Sequence, residues 1–280
     1  MTSLQVHYPG RKPLTFRRIQ AADSERMARL NAAFRLFDHL IRFAPYSSKS
    51  HLKDHALRLL NNAGLLPHSR ERDNRILEIA IVLHDVGVFY SQAADHGAVS
   101  AQTIRGYLSD LSPGPAERDR ICSIIRSHHQ YVNPSDNSEE AIALRVLDCL
   151  DAFGEVGAYR FLEVYHRRGI RPPVIFEKAR QSLGKRMESI LNFPFRGRDF
   201  EFIKQAYNRA DQVLGQLAKE ARGEGENLGA LQILDWFLGI NWDISQIPRI
   251  LWRHDLSEFS VDYLLALNSS FQDLVSPERI

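Results

Sequence analysis

His51, His84, Asp85, His96, His128 and Asp148 combine the side-chain types of a divalent-metal site. His84 and Asp85 close the run Arg75-Ile-Leu-Glu-Ile-Ala-Ile-Val-Leu83, which is apolar apart from Glu78 after its first residue. An imidazole and a carboxylate beside such a run need partners, because burying them uncompensated costs several kcal/mol, on the order of 2–7 for a neutral polar group and more for a charge. One divalent cation would satisfy both. Asp148 lies in Ala141-Ile-Ala-Leu-Arg-Val-Leu-Asp-Cys-Leu-Asp-Ala-Phe153, a segment apolar nearly all round. It needs either a metal or a cationic partner, and Arg145, one turn earlier, is the partner within its own segment. His128 continues the stripe Ile121, Ile124, Ile125, while His129 sits on its shoulder. His96 follows Asp95 at an expected helix start, where the helix dipole disfavours protonation and keeps the ring available as a ligand.

The elements that position these groups are helical. Residues 75–83 suit a helix buried on most of its circumference, with Gly87 expected as a left-handed C-cap. Residues 24–43 carry apolar positions at Met27, Leu30, Phe34, Phe37 and Ile41, and Pro45 ends them. Ser47, Ser48 and Ser50 offer N-caps for a helix through about Ala63 that His51 opens. Further helices are expected from Asp95 to Leu111, from Ala116 to Val132 and from Ser138 to Phe153, with a turn at Ser112–Pro115. In the second half, helices are expected at 156–168, 174–192 and 199–222. Gly223–Gly229 makes a break, and shorter helices carry Trp236, Trp242 and Trp252 as core anchors. Residues 1–22 read as an irregular basic lead-in. No sustained alternating pattern marks a strand, so the class is all-α.

Composition narrows the function classes. The chain has 280 residues, 44% hydrophobic and 25% charged, with a formal charge of +2. That balance gives no global argument for nucleic acid or for a membrane surface. Cys122 and Cys149 are the two cysteines, each in an apolar helical pattern, which argues against a disulfide scaffold or a Cys-type zinc site. The N-terminal residues do not read as a signal peptide, and no apolar run approaches the roughly 20 residues of a membrane span. A cytoplasmic location is expected.

His51, then Leu83-His84-Asp85-Val-Gly87, then Val146-Leu147-Asp148 resembles the H…HD…D signature of the HD-domain superfamily of metal-dependent phosphohydrolases. Asp95-His96-Gly-Ala-Val-Ser-Ala101 and Ile124-Ile-Arg-Ser-His128-His129 resemble the additional histidines of its binuclear branches. The short gap from His84 to His96 is similar to the HD-like domain of exopolyphosphatase/guanosine pentaphosphatase proteins, and His-Gly-x-x-x-Ala to the HD-type diadenosine tetraphosphate hydrolases. The resemblance covers roughly residues 30–155. It implies an HD-domain helical bundle at 24–155 after an N-terminal extension at 1–23. A C-terminal helical region at 156–280 would pack on that core.

The resemblance further implies that His51, His84, Asp85 and Asp148 hold a first metal. Asp85 would bridge to a second held by His96 and His128, with Asp85 and His84 at the catalytic centre. Mn, Fe, Mg, Ni or Co suits such ligands, one or two per chain. His55, one turn after His51, could replace or support it; the family's spacing favours His51. Asp151, one turn beyond Asp148, reads as a solvated residue. His254-Asp255 repeats the dipeptide without the apolar run. Lys178, Arg180, Lys185 and Arg186 make a basic stretch, and Arg126, Arg145 and Arg160 are scattered nearer the core motifs; any could bind phosphate, but such charges are usually solvated faces and none is assigned a catalytic role. The implied activity is hydrolysis of a phosphate ester or anhydride of a nucleotide or small metabolite. An HD-type diiron oxygenase and a non-catalytic nucleotide-binding module are the alternatives, and a homodimer is left open. On this reading His84→Ala or Asp85→Ala removes metal and activity while circular dichroism stays native-like; full activity in either purified variant would overturn it.

Overall fold

The computed structural model describes residues 5–6, 14–15, 21–48, 50–91, 95–111, 114–130, 134–171, 174–191, 193–195, 197–224, 229–238, 256–258 and 260–265. Trp242, Trp252 and the His254-Asp255 repeat lie outside them, as do parts of the expected turn at 112–115 and break at 223–229. In chain order the elements are β1 (Gln5–Val6), β2 (Leu14–Thr15), α1 (Ala21–Arg42), α2 (Lys53–Asn62), α3 (Asn74–Leu83), α4 (His96–Ile104), α5 (Pro115–Ser127), α6 (Glu139–Leu150), α7 (Gly154–Arg167), α8 (Val174–Ile190), α9 (Gly197–Ala221) and α10 (Ala230–Leu238). Short 3-10 helices cover Ala63–Leu65, Val86–Phe89 and Arg105–Asp110. The fold is all-α. Within the expected irregular lead-in, β1 and β2 form a small antiparallel bridge, Gln5 opposite Thr15 and Val6 opposite Leu14.

α3 is the axis of the bundle. Ile76, Leu77 and Ile79 through Leu83 are all buried, and α1, α2, α5 and α6 pack around them. Glu78, the polar residue in that run, is absorbed by α1, accepting from Arg26 Nε at 2.6 Å and Arg29 Nη2 at 3.1 Å. The ends are fixed by side-chain caps: Asp73 accepts from the Arg75 N–H at 2.9 Å, Asp95 from Ala98 at 3.2 Å and Ser138 from Ala141 at 3.3 Å. α2 differs from expectation. Its N-cap is Leu52, without a side-chain cap, and His51 lies in the turn before it. Ser48 and Ser50 are buried instead and bond to other side chains.

Gly87 also departs from the expected left-handed cap: its φ is not positive, and it sits inside the 3-10 turn after α3. Its role is steric. A Cβ there would collide with His96 O and with Ser100 N and Oγ of α4. The Gly87 N–H donates to Ser100 Oγ at 2.7 Å. Gly97 repeats the device on α4's other side, where a Cβ would meet His129 Nδ1 at 2.7 Å and Ile125 O at 2.9 Å. Two glycines thus let the start of α4 wedge between the end of α3 and the end of α5.

The second half is an antiparallel helical layer. α7, α8 and α9 begin and end within two residues of the expected 156–168, 174–192 and 199–222. α8 packs on α6, and α7 and α9 pack on each other and on α8. Buried apolar side chains run without a break from Leu30 in α1 through Leu144 in α6 to Leu217 in α9 and Leu264. Glu220 at the end of α9 accepts the Ala230 and Leu231 N–H groups at 3.1 and 3.0 Å and so caps α10. Trp236 is partly buried against this cluster.

The wedge predicts that Gly87→Ala costs about 1–3 kcal/mol in denaturant unfolding, the usual penalty of overpacking. Gly106→Ala, with nothing within 4 Å of its added Cβ, should stay within about 0.5 kcal/mol of wild type.

Candidate metal centre

His84 is the C-cap of α3 and Asp85 the first residue past it, with φ −101° and ψ 7°. The helix stops between them, so two neighbouring side chains that would otherwise diverge turn to one point. Both are buried, as are His55 and His128. The Asp85 carboxylate lies at the centre. Its Oδ2 is 3.1 Å from His55 Nε2 and 3.1 Å from His84 Nε2. Its Oδ1 is 3.3 Å from His96 Nε2 and 3.6 Å from His128 Nε2. Oδ2 thus faces His55 and His84, with His51 Nε2 behind them at 3.7 Å, and Oδ1 faces His96 and His128.

The other ring nitrogens fix the tautomers. His84 Nδ1 lies 2.8 Å from Ile81 O, His128 Nδ1 2.7 Å from Ile125 O and His55 Nδ1 2.8 Å from Asp151 Oδ2. Only an N–H can donate to these acceptors, so each neutral ring keeps its Nε2 lone pair for the centre. Yet His55 Nε2 and His84 Nε2 stand 3.1 Å apart, and so do His96 Nε2 and His128 Nε2. Lone pairs facing at that distance need a cation between or beside them. Ligand atoms about 2.1 Å from one metal at right angles lie about 3.0 Å apart, so the spacing fits a divalent ion near each pair. The donor chemistry, neutral nitrogens around a shared carboxylate, fits as well. The bond from His128 Nδ1 to the Ile125 carbonyl is compatible with a ligand role for its Nε2.

Electrostatics agree. Burial raises the cost of charge on Asp85, but His84, His51, His128 and His55 more than offset it and hold its carboxyl well below the usual range. Burial pushes the His55 imidazole down to about 3, helped by Arg160, and pushes His128 down to about 4. Burial opposes charge on His84 too, but Asp85 and Asp148 prevail and its pKa is raised.

Several sequence expectations change here. His51 was favoured over His55, but it is His55 that sits within 4.8 Å of the His84 and Asp85 ligand atoms as one group. His51 Nε2 is farther out, 3.7 Å from Asp85 Oδ2, and its Nδ1 is held by Ser48 Oγ at 2.7 Å and Ser50 Oγ at 2.9 Å. Both serines in turn bond the buried Glu163 carboxylate. The signal for His55 was its place beside Ala56 and one turn before Leu59, the same apolar-stripe argument applied to His128. Asp151, read as solvated, is 6% exposed and bonds His55, Arg58 and Arg160. Arg160 is likewise buried and bonds Ser50 O at 2.5 Å. Nothing in the sequence alone pairs residues 55, 58, 151 and 160.

Asp148 borders the centre, its Oδ1 3.8 Å from His55 Nε2. Its ion-pair partner is Arg186 of α8, at 3.0 Å, whereas Arg145 bonds Asp136 O and Asn137. Arg186 thus leaves the set of solvated charges, while Arg180 stays at the surface with Asp211. His129 joins His96 and His128 in a second group of donor atoms within 4.8 Å of one another. Its Nε2 is 3.3 Å from Asp95 Oδ1, and its buried Nδ1 has no hydrogen-bond partner among the described residues. A cavity of about 740 Å³ opens in front of the cluster, reached by His51, Asp85, His96, His129, Asp148 and Arg186.

Residues 52–152 match the family model of the HD domain. The match spans His55, His84, Asp85, His96, His128, Asp148 and Asp151 and begins one residue after His51. HD domains are mostly metal-dependent hydrolases acting on phosphorylated substrates. No curated protein and no solved structure matches the chain significantly. Among the described residues no helix is long and apolar enough to cross a membrane.

Two outcomes follow from this geometry. His55→Ala should lower bound metal, measured on purified protein, far more than His51→Ala does, and Asp151→Asn should weaken metal binding by about 10–100-fold through the loosened His55 ring. Metal uptake should also fall as pH drops, because Asp85 and Asp148 raise the His84 pKa and protonation of that ring competes with the ion; dialysis at fixed Mn²⁺ between pH 8 and 5.5 reads this directly.

Proposed function

We propose that the protein is a binuclear metal-dependent phosphohydrolase. The observation that carries this is the division of Asp85, with one oxygen toward His55 and His84 and the other toward His96 and His128. On this reading His55, His84, Asp85 and Asp148 hold one ion, and Asp85, His96 and His128 the other. His129 stands beside the second group. When bound, such ions lower the pKa of a coordinated water and polarise a phosphoryl oxygen.

The chain's own groups supply the rest. Asp85 orients both halves and carries the negative charge that neutral imidazoles cannot. Arg186, on the cavity wall, bonds both the Asp148 carboxylate and its backbone carbonyl, at 3.0 and 3.1 Å. From there its guanidinium can meet a phosphoryl oxygen and offset charge as it develops. His51 faces the cavity with its Nδ1 committed to Ser48 and Ser50, so its Nε2 is free to accept a hydrogen bond from a water or substrate hydroxyl. The substrate is a phosphate ester or anhydride of a small organic molecule, a nucleotide included.

The test is metal analysis joined to a phosphatase screen across Mn, Fe, Mg, Ni and Co. Two ions per chain, falling to about one in His96→Ala/His128→Ala, together with metal-dependent release of phosphate, are the expected results. One ion per chain under saturating metal would remove the binuclear site. Oxygen uptake by the iron-loaded protein in place of phosphate release would move the activity to an oxygenase.

A further inference from the structure

The far wall of the cavity comes from α7 and α8, outside the HD-domain match. α7 contributes Phe161, Val164 and Tyr165, and Arg168, the residue that caps its C-terminus, follows on the same face at i+7. α8 contributes Ser182, Lys185, Arg186 and Ser189 with the same spacing, and Glu188 beside them. The register between them is fixed. Arg186 stacks 5.4 Å from the Phe161 ring centre, and Tyr165 Oη is 2.6 Å from Ser182 Oγ. The helices are therefore antiparallel, and the cavity runs along their seam.

Its two ends differ. At the inner end Phe161 and Arg186 lie beside Asp148. Val164 and Tyr165 continue outward as an apolar flank, with Val88 also on the wall. The outer end carries Arg168 and Arg167, and Arg167 Nη2 reaches Val88 O at 3.5 Å. Arg168 makes no ion pair among the described residues. Seven positions along the end of α7 and its C-cap carry the chain from Phe161 to Arg168, a rise of about 10 Å. Cations at both ends of an apolar seam suit a molecule that is anionic at both ends and apolar between them.

We propose, building on the phosphohydrolase reading, that the substrate carries a second anionic group about 10 Å from its reacting phosphoryl group. The phosphoryl end lies at the His/Asp cluster with Arg186. An apolar or planar middle lies along Phe161, Val164 and Tyr165. The second anion is met by Arg168 and Arg167, making α7 the element that determines specificity.

Two non-hydrolysable probes test this by calorimetry: biphenyl-4-phosphonate, and its 4′-carboxy derivative, whose carboxylate stands at about the required spacing. With metal-loaded wild type the carboxylated probe should bind about fivefold more tightly, the effect of an added ion pair near the surface. Arg168→Glu should bring the ratio of the two dissociation constants to one or below, and 0.5 M salt should shrink it. Equal affinities in wild type, or a ratio unchanged in Arg168→Glu, would overturn the second-anion site. The ratio is read from binding alone, so it separates the two proposals. A protein that hydrolyses no phosphate ester but keeps the ratio loses the activity and keeps the site; one that hydrolyses esters with a ratio of one does the reverse.

Discussion

A buried carboxylate ringed by imidazoles governs this fold. Asp85 cannot remain charged at 4% exposure without positive or polarisable groups on every side. The chain answers with histidines from α2, the end of α3, the start of α4 and the end of α5. Each of those histidines has its own requirement, since an imidazole held among apolar helices needs one nitrogen anchored. Ile81 O, Ile125 O and Asp151 provide the anchors for His84, His128 and His55. The hydrogen bonds that settle the rings as structural residues are the same ones that turn their lone pairs toward the space beside Asp85 that a cation would fill.

Backbone proximity makes the ring possible. α4 enters at an angle that brings its first residue to Asp85, and side chains at 87 and 97 would push it away. The cost of glycine in chain flexibility is offset by a contact that no other residue permits. His96 is therefore held by two helix ends at once rather than by a loop, and His128 by a helix whose cap it forms. A site built on helix termini keeps its geometry only as long as those termini are packed.

The bundle itself was legible in the sequence. The run at 76–83 required a helix buried all round, and the boundaries of α7 to α9 follow from ordinary periodicity. His84, Asp85, His96 and His128 are marked by where they interrupt apolar patterns. What the pattern did not distinguish was His51 from His55. They lie one turn apart, and the deciding partner, Asp151, is about a hundred residues away in sequence. Asp151 itself looked solvated because its burial depends on Arg58 and Arg160 arriving from two other helices. Gly87 was legible as a special position, but for a different reason: a helix stop and a helix crossing use the same residue type. Arg186 lay in a basic stretch whose other members are surface charges, and only the packing of α8 on α6 separates it from them.

The dependence of Asp151 on Arg160 has a further consequence. The segment that matches the HD domain ends at residue 152, whereas Arg160 and Arg186, which neutralise Asp151 and Asp148, lie beyond it. Cutting the chain at the family boundary would take Arg186 from Asp148 and leave Asp151 with Arg58 but not Arg160. Homology and autonomy therefore divide this polypeptide at different places. The unit that the family model describes is smaller than the unit that carries all of these counter-charges, and a fragment chosen by likeness alone would inherit the ligands without Arg160 and Arg186.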